Sequence, residues 1–251
     1  MCGRQYVISG SVWEANSMKL SAIQKFTVLD YPDKVACIAF TPGCNMRCGF
    51  CHNPEFVLPE KIQELQGSFI EEETFFNFLE KRRGLLDGVV VSGGEPTIWR
   101  DLPEFLAGIK KRGFLVKFDT NGNHPEILRI LIEKNLVDYV AMDVKTSLAE
   151  YPKLVGGNVK SDHIKESIEL LKASNIPHEF RTTLIKEIHT ESVLQDMTGL
   201  LTGVERYYLQ TFRPGHTLNP VFAMYHSFSP EEMKSLIARF SAVAGEVGIR
   251  G

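Results

Sequence analysis

Three cysteines, Cys44, Cys48 and Cys51, stand in the run Thr41-Pro42-Gly43-Cys44-Asn45-Met46-Arg47-Cys48-Gly49-Phe50-Cys51-His52-Asn53-Pro54. Thiolates are soft ligands suited to iron–sulfur clusters or zinc, and a closed tetrahedral site takes four ligands. The local run supplies three. A metal centre held this way keeps one position open, and an open position reads as catalytic rather than structural. His52 could complete a Cys3His zinc site, but directly after Cys51 it has only a strained path back to the same metal. The other histidines, including His178 and His189, form no ligand spacing and read as surface or satisfied polar residues. The chain holds five cysteines in all, too few for a second iron–sulfur cluster and too clustered for a disulfide framework. Cys37, inside Val35–Phe40, reads as a small buried hydrophobe, and Cys2 as an exposed bystander.

Further polar groups recur at the ends of apolar, β-branched runs. Val89-Val90-Val91 leads into Ser92-Gly93-Gly94-Glu95-Pro96-Thr97, where two glycines permit close backbone approach to a ligand and Pro96 stiffens the turn. Phe114–Phe118 leads into Asp119-Thr120-Asn121-Gly122, and Tyr139–Met142 into Asp143-Val144-Lys145. Taken singly, each is an ordinary turn or surface pair. Arg181, in His178-Glu179-Phe180-Arg181-Thr182-Thr183, offers a guanidinium that suits a carboxylate or closes a salt bridge at a strand end.

The elements that position these groups follow from periodicity. Strands are predicted at Val35–Phe40, Gly88–Ser92, Phe114–Asp119, Tyr139–Asp143, His178–Leu184 and Arg206–Thr211, and amphipathic stretches between them argue for βα units on a parallel sheet. Leu102, Phe105, Leu106 and Ile109 make a helical stripe over Asp101–Arg112 with Gly113 as its stop, and Asp101 with Glu104 resembles a capping box. Ser229-Pro230-Glu231-Glu232 starts a last helix with an N-cap, Pro at N1 and Glu at N3. Functional groups belong at the carboxyl ends of strands in such folds, which is where every motif falls.

The ordered set resembles the radical S-adenosylmethionine (SAM) superfamily: Cys44-x3-Cys48-x2-Cys51 with Phe50 before the third cysteine, then Gly93–Pro96. His52-Asn53-Pro54 is similar to its glycyl radical activating branch, and Ile23–Pro32 and Gln210–Gly215 resemble activating proteins of anaerobic ribonucleoside-triphosphate reductase. The resemblance spans roughly Leu20 to Leu218. It implies a single-domain, laterally open partial (β/α)6 barrel, an α/β fold two units short of a full barrel. It implies a [4Fe–4S] cluster on Cys44, Cys48 and Cys51, and SAM with its amino group held by Gly93, Gly94, Glu95 and Pro96. It further implies a monovalent cation beside the SAM carboxylate near Asp119, Thr120, Asp143 and Lys145, with Ala141 contributing a backbone carbonyl and Arg181 contacting the carboxylate. The implied reaction generates a glycyl radical on a partner, taken as class III anaerobic ribonucleotide reductase, with reduced flavodoxin or ferredoxin as electron donor. Activation of pyruvate formate-lyase, a radical reaction on a small molecule, and a non-catalytic iron–sulfur or zinc module stay open as alternatives. Gln210–Gly215 departs from the pyruvate formate-lyase activating pattern, which carries a histidine near this place.

The remaining composition sets bounds. At 251 residues and 43% hydrophobic, one domain over residues 18–251 is expected, with residues 1–17 either a polar, disordered extension or a mis-assigned start before Met18. A net charge of −3 gives no footprint for nucleic acid. No apolar run reaches membrane-spanning length and the start lacks signal-peptide character, so a cytoplasmic protein is expected.

Overall fold

The structure, a computed structural model, describes residues 18–250 together with the backbone of two short antiparallel strands, Val7–Ile8 and Ser11–Val12. The expectations for the 1–17 extension and Cys2 otherwise lie outside the described residues. By its internal contacts the chain divides into two compact units, Met1–Asn45 with Pro54–Lys117, and Met46–Asn53 with Phe118–Gly251.

In the first unit the strand Ala36–Thr41 pairs in parallel with Gly88–Gly93, from Ala36 opposite Gly88 to Thr41 opposite Gly93. Its other edge carries an antiparallel strand, Ala22–Thr27, which the sequence reading missed. The reason lies in its composition: Gln24, Lys25 and Phe26 are all exposed, so no alternation betrays it. The inner strands are nearly continuous apolar runs, as parallel strands covered on both faces are. Cys37 is wholly buried there, and burial pushes its thiol up to about 12, in keeping with a core role. The helices Glu72–Glu80 and Leu102–Lys111 belong to this unit, with the rings of Phe75 and Phe105 5.6 Å apart.

The capping box expected at Asp101 does not form. Asp101 has ψ 11°, already turning into the helix, and makes no side-chain cap; a cap residue needs extended backbone to aim its carboxylate at the free N–H groups. One carboxylate oxygen of Asp101 is buried without a hydrogen-bond partner, and burial raises its pKa. The helix stop does hold, since Gly113 takes φ 85°.

The second unit carries four parallel strands in the order Glu246–Arg250, Arg206–Thr211, His178–Leu184, Tyr139–Asp143. The strand Leu115–Thr120 contributes to both units, through Lys117 to the first and from Phe118 to the second. Helices Pro125–Glu133, Ser161–Ala173, Glu191–Leu200 and Pro230–Ser241 alternate with these strands. The predicted box on the last helix is present: Ser229 Oγ accepts from the Glu232 N–H, and the Glu232 carboxylate accepts from the Ser229 N–H at 2.7 Å. The strand Glu246–Arg250 was not foreseen, being short, interrupted by Gly248 and half exposed. A tertiary ion pair ties it in: Arg250 Nη1 lies 2.5 Å from the fully buried carboxylate of Glu179, which also accepts from the Tyr139 hydroxyl at 2.7 Å.

Candidate active site

In the first unit, backbone builds the site. The strand ending at Thr41 runs into Pro42-Gly43-Cys44, and the Gly43 N–H donates to the Phe56 carbonyl at 2.7 Å. The Gly94 N–H donates to the Thr41 carbonyl at 2.9 Å and the Glu95 N–H to the Gly43 carbonyl at 2.8 Å. The glycine loop and the cysteine loop are thus laced main chain to main chain. No side chain fits between them: a Cβ on Gly94 would lie 1.8 Å from the Gly43 oxygen, and one on Gly93, which has φ 123°, 2.3 Å from the Thr41 nitrogen. Trp99 Nε1 donates to the Pro42 carbonyl at 2.9 Å from outside the loop. The Glu95 carboxylate is 1% exposed and accepts from the Thr97 N–H and hydroxyl, the latter at 2.6 Å. Its side chain caps the short turn Pro96–Ile98. What this loop leaves for a ligand is therefore main-chain polarity, with Cys44 buried beside it.

The candidate groups of the second unit are mainly side chains. Cys48 and Cys51 share a tight turn, with the Cys51 N–H donating to the Cys48 carbonyl at 3.0 Å. The turn is held from three sides. The Arg47 N–H reaches the Val155 carbonyl at 2.6 Å, and the Leu218 and Asn219 N–H groups donate to the Cys51 and Gly49 carbonyls, each at 2.9 Å. Phe50 is buried with Ile185, Phe212 and Phe222, and Cys48 packs against this cluster. His52 is exposed, its ring 6.1 Å from that of Phe212.

Beside this turn the strand ends converge on one charge network. Arg181 Nε lies 2.8 Å from Asp143 Oδ1 and its Nη1 3.4 Å from Asp119 Oδ2, while Lys145 Nζ lies 2.8 Å from Asp143 Oδ2. Burial alone would raise the Asp143 pKa, but the two adjacent cations win and hold its carboxyl far below the usual carboxylate range. Burial likewise opposes charge on Lys145, and Asp143 with Cys48 reverses this and pushes it up to about 12. Burial pushes the Cys48 thiol up to about 11, with Lys145 pulling the other way. The sequence-predicted residues Asp119, Asp143, Lys145 and Arg181 are therefore brought together. Thr120 is buried next to Asp119, its hydroxyl accepting from the Gly122 N–H at 3.1 Å.

Residues not foreseen hold Lys145 in place. Its N–H donates to the Tyr151 hydroxyl at 2.8 Å, and its carbonyl lies 3.1 Å from His189 Nε2. The Ile185 N–H donates to His189 Nδ1 at 2.9 Å, which makes Nδ1 the acceptor and Nε2 the protonated nitrogen of a neutral ring. Burial lowers the His189 pKa, in keeping with neutrality. His189 is thus a satisfied polar residue, but a buried one that joins the loops after two strands. Spacing gives no warning of this, because the partners are main-chain groups 4 and 44 residues away. The hydroxyls of Thr146 and Ser147, directly after Lys145, are buried without hydrogen-bond partners and leave polar capacity unused.

Whether a cluster fits is a question of donor chemistry. Among the described residues no three or more His, Cys, Asp or Glu side chains are gathered as a metal-holding group. None of Cys44, Cys48 and Cys51 is in a disulfide, and they are soft donors in the number a cluster with one open iron takes. Ligation replaces the thiol proton, which removes the burial penalty on Cys48. The donor set fits.

Comparison with known proteins agrees. The family model described as the Radical SAM superfamily matches residues 38–198. A protein of Methanocaldococcus jannaschii, named as a glycyl-radical enzyme activating enzyme, is 34% identical over 222 residues, covering 86% of this chain and 89% of its own. A pyruvate formate-lyase-activating enzyme of Listeria monocytogenes is 30% identical over 135 residues, 51% of this chain and 53% of its own. Streptococcus suis SuiB bound to its precursor peptide SuiA superposes with a TM-score of 0.62 at 13% identity, over 85% of this chain and 48% of that one. This last likeness shows the fold, an α/β partial barrel with mostly parallel strands. With its cysteine motif, its strand-end motifs and these relatives taken together, the chain belongs to the radical SAM superfamily and is an enzyme of its glycyl-radical activating branch.

Proposed function

We propose that this enzyme cleaves SAM reductively at a [4Fe–4S] cluster bound by Cys44, Cys48 and Cys51, and installs a glycyl radical on class III anaerobic ribonucleoside-triphosphate reductase. The observation that carries the reading is positional: Cys44, Gly93–Pro96, Asp119–Thr120 and Asp143–Lys145 each sit at or just beyond the carboxyl end of a strand, where such folds keep their reactive groups. When bound, the cluster and SAM supply one-electron cleavage of the sulfonium C–S bond, giving methionine and a 5′-deoxyadenosyl radical that takes a hydrogen atom from a glycine of the partner. This chain's own residues bind and orient. Main-chain groups of Gly93, Gly94, Glu95 and Pro96 receive the SAM amino group; the Glu95 side chain, as a cap, shapes that loop. Arg181 and Lys145 offer cationic partners for the SAM carboxylate.

A monovalent cation on Asp119, Thr120 and Asp143 belongs to the proposal with a condition. Both aspartates already touch Arg181, and Asp143 touches Lys145, so a bound cation must displace one of these groups as the SAM carboxylate draws it away. Potassium-dependent SAM affinity would support the site. Reduced flavodoxin or ferredoxin serves as donor, in an anaerobic cytoplasm; no helix among the described residues is long and apolar enough to cross a membrane.

The test is anaerobic reconstitution, electron paramagnetic resonance of the dithionite-reduced protein with and without SAM, and assay of 5′-deoxyadenosine. A reduced-cluster signal that shifts with SAM, and that disappears together with deoxyadenosine formation in Cys48→Ala, is the expected result. A metal site without SAM response overturns the reading and favours a structural module. A second reading, activation of pyruvate formate-lyase, is favoured by the Listeria relative. Offering each glycyl radical enzyme in turn and recording which develops the glycyl radical signal decides between them.

A further inference from the structure

The strand Glu246–Arg250 leaves a row of main-chain groups unpaired. Among the described residues it is hydrogen-bonded on one side only, in parallel to Arg206–Thr211, and its register runs without irregularity from Glu246 opposite Arg206 to Arg250 opposite Gln210. The Glu246 N–H donates to the Glu205 carbonyl at 2.8 Å, so the main chain of Glu246 faces that neighbour. Alternation along a strand turns Gly248 and Arg250 the same way and directs the N–H and C=O groups of Val247 and Ile249 outward. The edge strand of the first unit, Ala22–Thr27, is blunted by contrast. It carries a bulge between Gln24 and Thr27, and the Gln24 side chain donates to the Phe26 carbonyl at 3.2 Å. Natural edges are ordinarily protected by such devices, and the regular register of Glu246–Arg250 holds no bulge.

The residue order of this edge is symmetric about Gly248: Val247 and Ile249 flank it, then Glu246 and Arg250. A second copy laid antiparallel, with a two-fold axis at Gly248, sets Val247 opposite the copy's Ile249 and Ile249 opposite the copy's Val247. These are the residues whose main chain points outward, so each pair can exchange both of its N–H···O bonds. Gly248 then meets its counterpart in the non-hydrogen-bonded class of position, where Cα atoms approach to about 4.5 Å. Glu246 meets the copy's Arg250 in that same close class. An axis at Val247 or at Ile249 would instead set Glu246 or Arg250 opposite Gly248 and lose both charge pairs. Charges on an edge keep most strands away, but opposite signs placed evenly about a glycine match the same sequence reversed.

Both charged side chains are also anchored within the protomer. Glu246 accepts from the Tyr208 hydroxyl at 2.7 Å and lies 3.9 Å from Arg206 Nε, while Arg250 Nη1 bonds the Glu179 carboxylate with its guanidinium 3.9 Å over the Tyr208 ring. Such anchoring fixes the two groups at the edge without exhausting them, since a guanidinium has five donors and a carboxylate two acceptor oxygens. We infer that Glu246–Arg250 is the surface through which two copies of this chain associate, as antiparallel edge strands about a two-fold axis at Gly248. The contact is isologous, the same patch on both copies. Its area is small, so association is weak and depends on concentration.

The test is sedimentation velocity of the full chain over a concentration series, with amide hydrogen exchange read at the same concentrations. Expected for the wild type is a shift from monomer to dimer, in which the Val247 and Ile249 amides exchange more slowly as the dimer fills. Ile249→Pro removes an outward N–H that the monomer does not use, a place where an edge strand accepts proline. Glu246→Lys sets a cation opposite the copy's Arg250. Each should weaken association about tenfold or more, and raising the salt should recover the loss in Glu246→Lys but not in Ile249→Pro. Should the proline variant fail to fold, Glu246→Lys, at a side chain 62% exposed, decides alone. A wild type that stays monomeric throughout overturns the inference. So does a dimer that Glu246→Lys leaves as tight as before, or protection of Val247 and Ile249 that does not change with concentration. A monomeric wild type whose glycyl radical formation on the partner falls in Glu246→Lys also overturns it, by giving the edge to the activated enzyme.

Discussion

The two compact units present their candidate groups in different materials. In the first unit, Thr41, Gly43, Gly93, Gly94 and Glu95 are joined main chain to main chain, at distances that admit no Cβ. In the second, Asp119, Asp143, Lys145 and Arg181 are joined side chain to side chain through ion pairs. A backbone half tolerates no added atom whatever its chemistry, while a side-chain half tolerates changes that preserve charge and reach. Substitutions should therefore divide by size in one half and by chemistry in the other.

The largest effect expected is loss of any of the three proposed cluster ligands, which belong to neither material. Cys44→Ala, Cys48→Ala or Cys51→Ala should abolish SAM cleavage and leave reconstituted iron far below the wild-type content. Next comes Gly94→Ala. A single methyl placed 1.8 Å from the Gly43 oxygen forces the two loops apart, costing about 3 kcal/mol or more as overpacking against rigid backbone. A sharp drop in melting temperature with loss of SAM binding checks it; a stable, active Gly94→Ala protein would break the comparison.

In the charged half, Asp143→Ala leaves Arg181 and Lys145 without a shared carboxylate. Removing one partner of a mostly buried pair costs about 3 kcal/mol. Arg181→Lys keeps the charge but cannot span both aspartates as the planar guanidinium does, so it should lose less stability than Asp143→Ala while raising the SAM concentration needed for half-maximal turnover. If the two variants proved equally damaging, chemistry would not be what governs this half.

The smallest effect concerns pH. Burial lowers the His189 pKa below its ordinary value near 6.5, so the unfolded chain takes up this proton before the folded one does. His189 therefore contributes stability that is present above about pH 6.5 and lost as the pH falls through its folded value. His189→Gln should flatten the decline in melting temperature over that acidic window and shift the neutral-pH value only modestly.

The cysteine run, the glycine loop and the acidic strand ends were all legible in the sequence, because motif chemistry is written in contiguous residues and strand ends follow apolar runs. The six predicted strands appear within a residue or so of their expected bounds, since apolar, β-branched and aromatic runs bounded by turn residues mark parallel strands. The capping box at Ser229 was readable because it closes within four residues. The one expected at Asp101 failed because backbone angle, not residue type, decides whether a side chain can cap. Strands Ala22–Thr27 and Glu246–Arg250 escaped because an edge strand needs only one good face and takes its place from a neighbour.

By itself, then, the sequence determined the clustering of the three cysteines, the order of motifs and the family. Tertiary structure alone decided that Arg181 sits on both aspartates, that the Glu95 side chain is a cap, and that His189 and Tyr151 hold Lys145. The physical reason is range: residue type and strand pattern are properties of neighbouring residues, whereas ion pairs and loop-to-loop hydrogen bonds join groups dozens of residues apart that only folding brings to 2.8 and 3.1 Å.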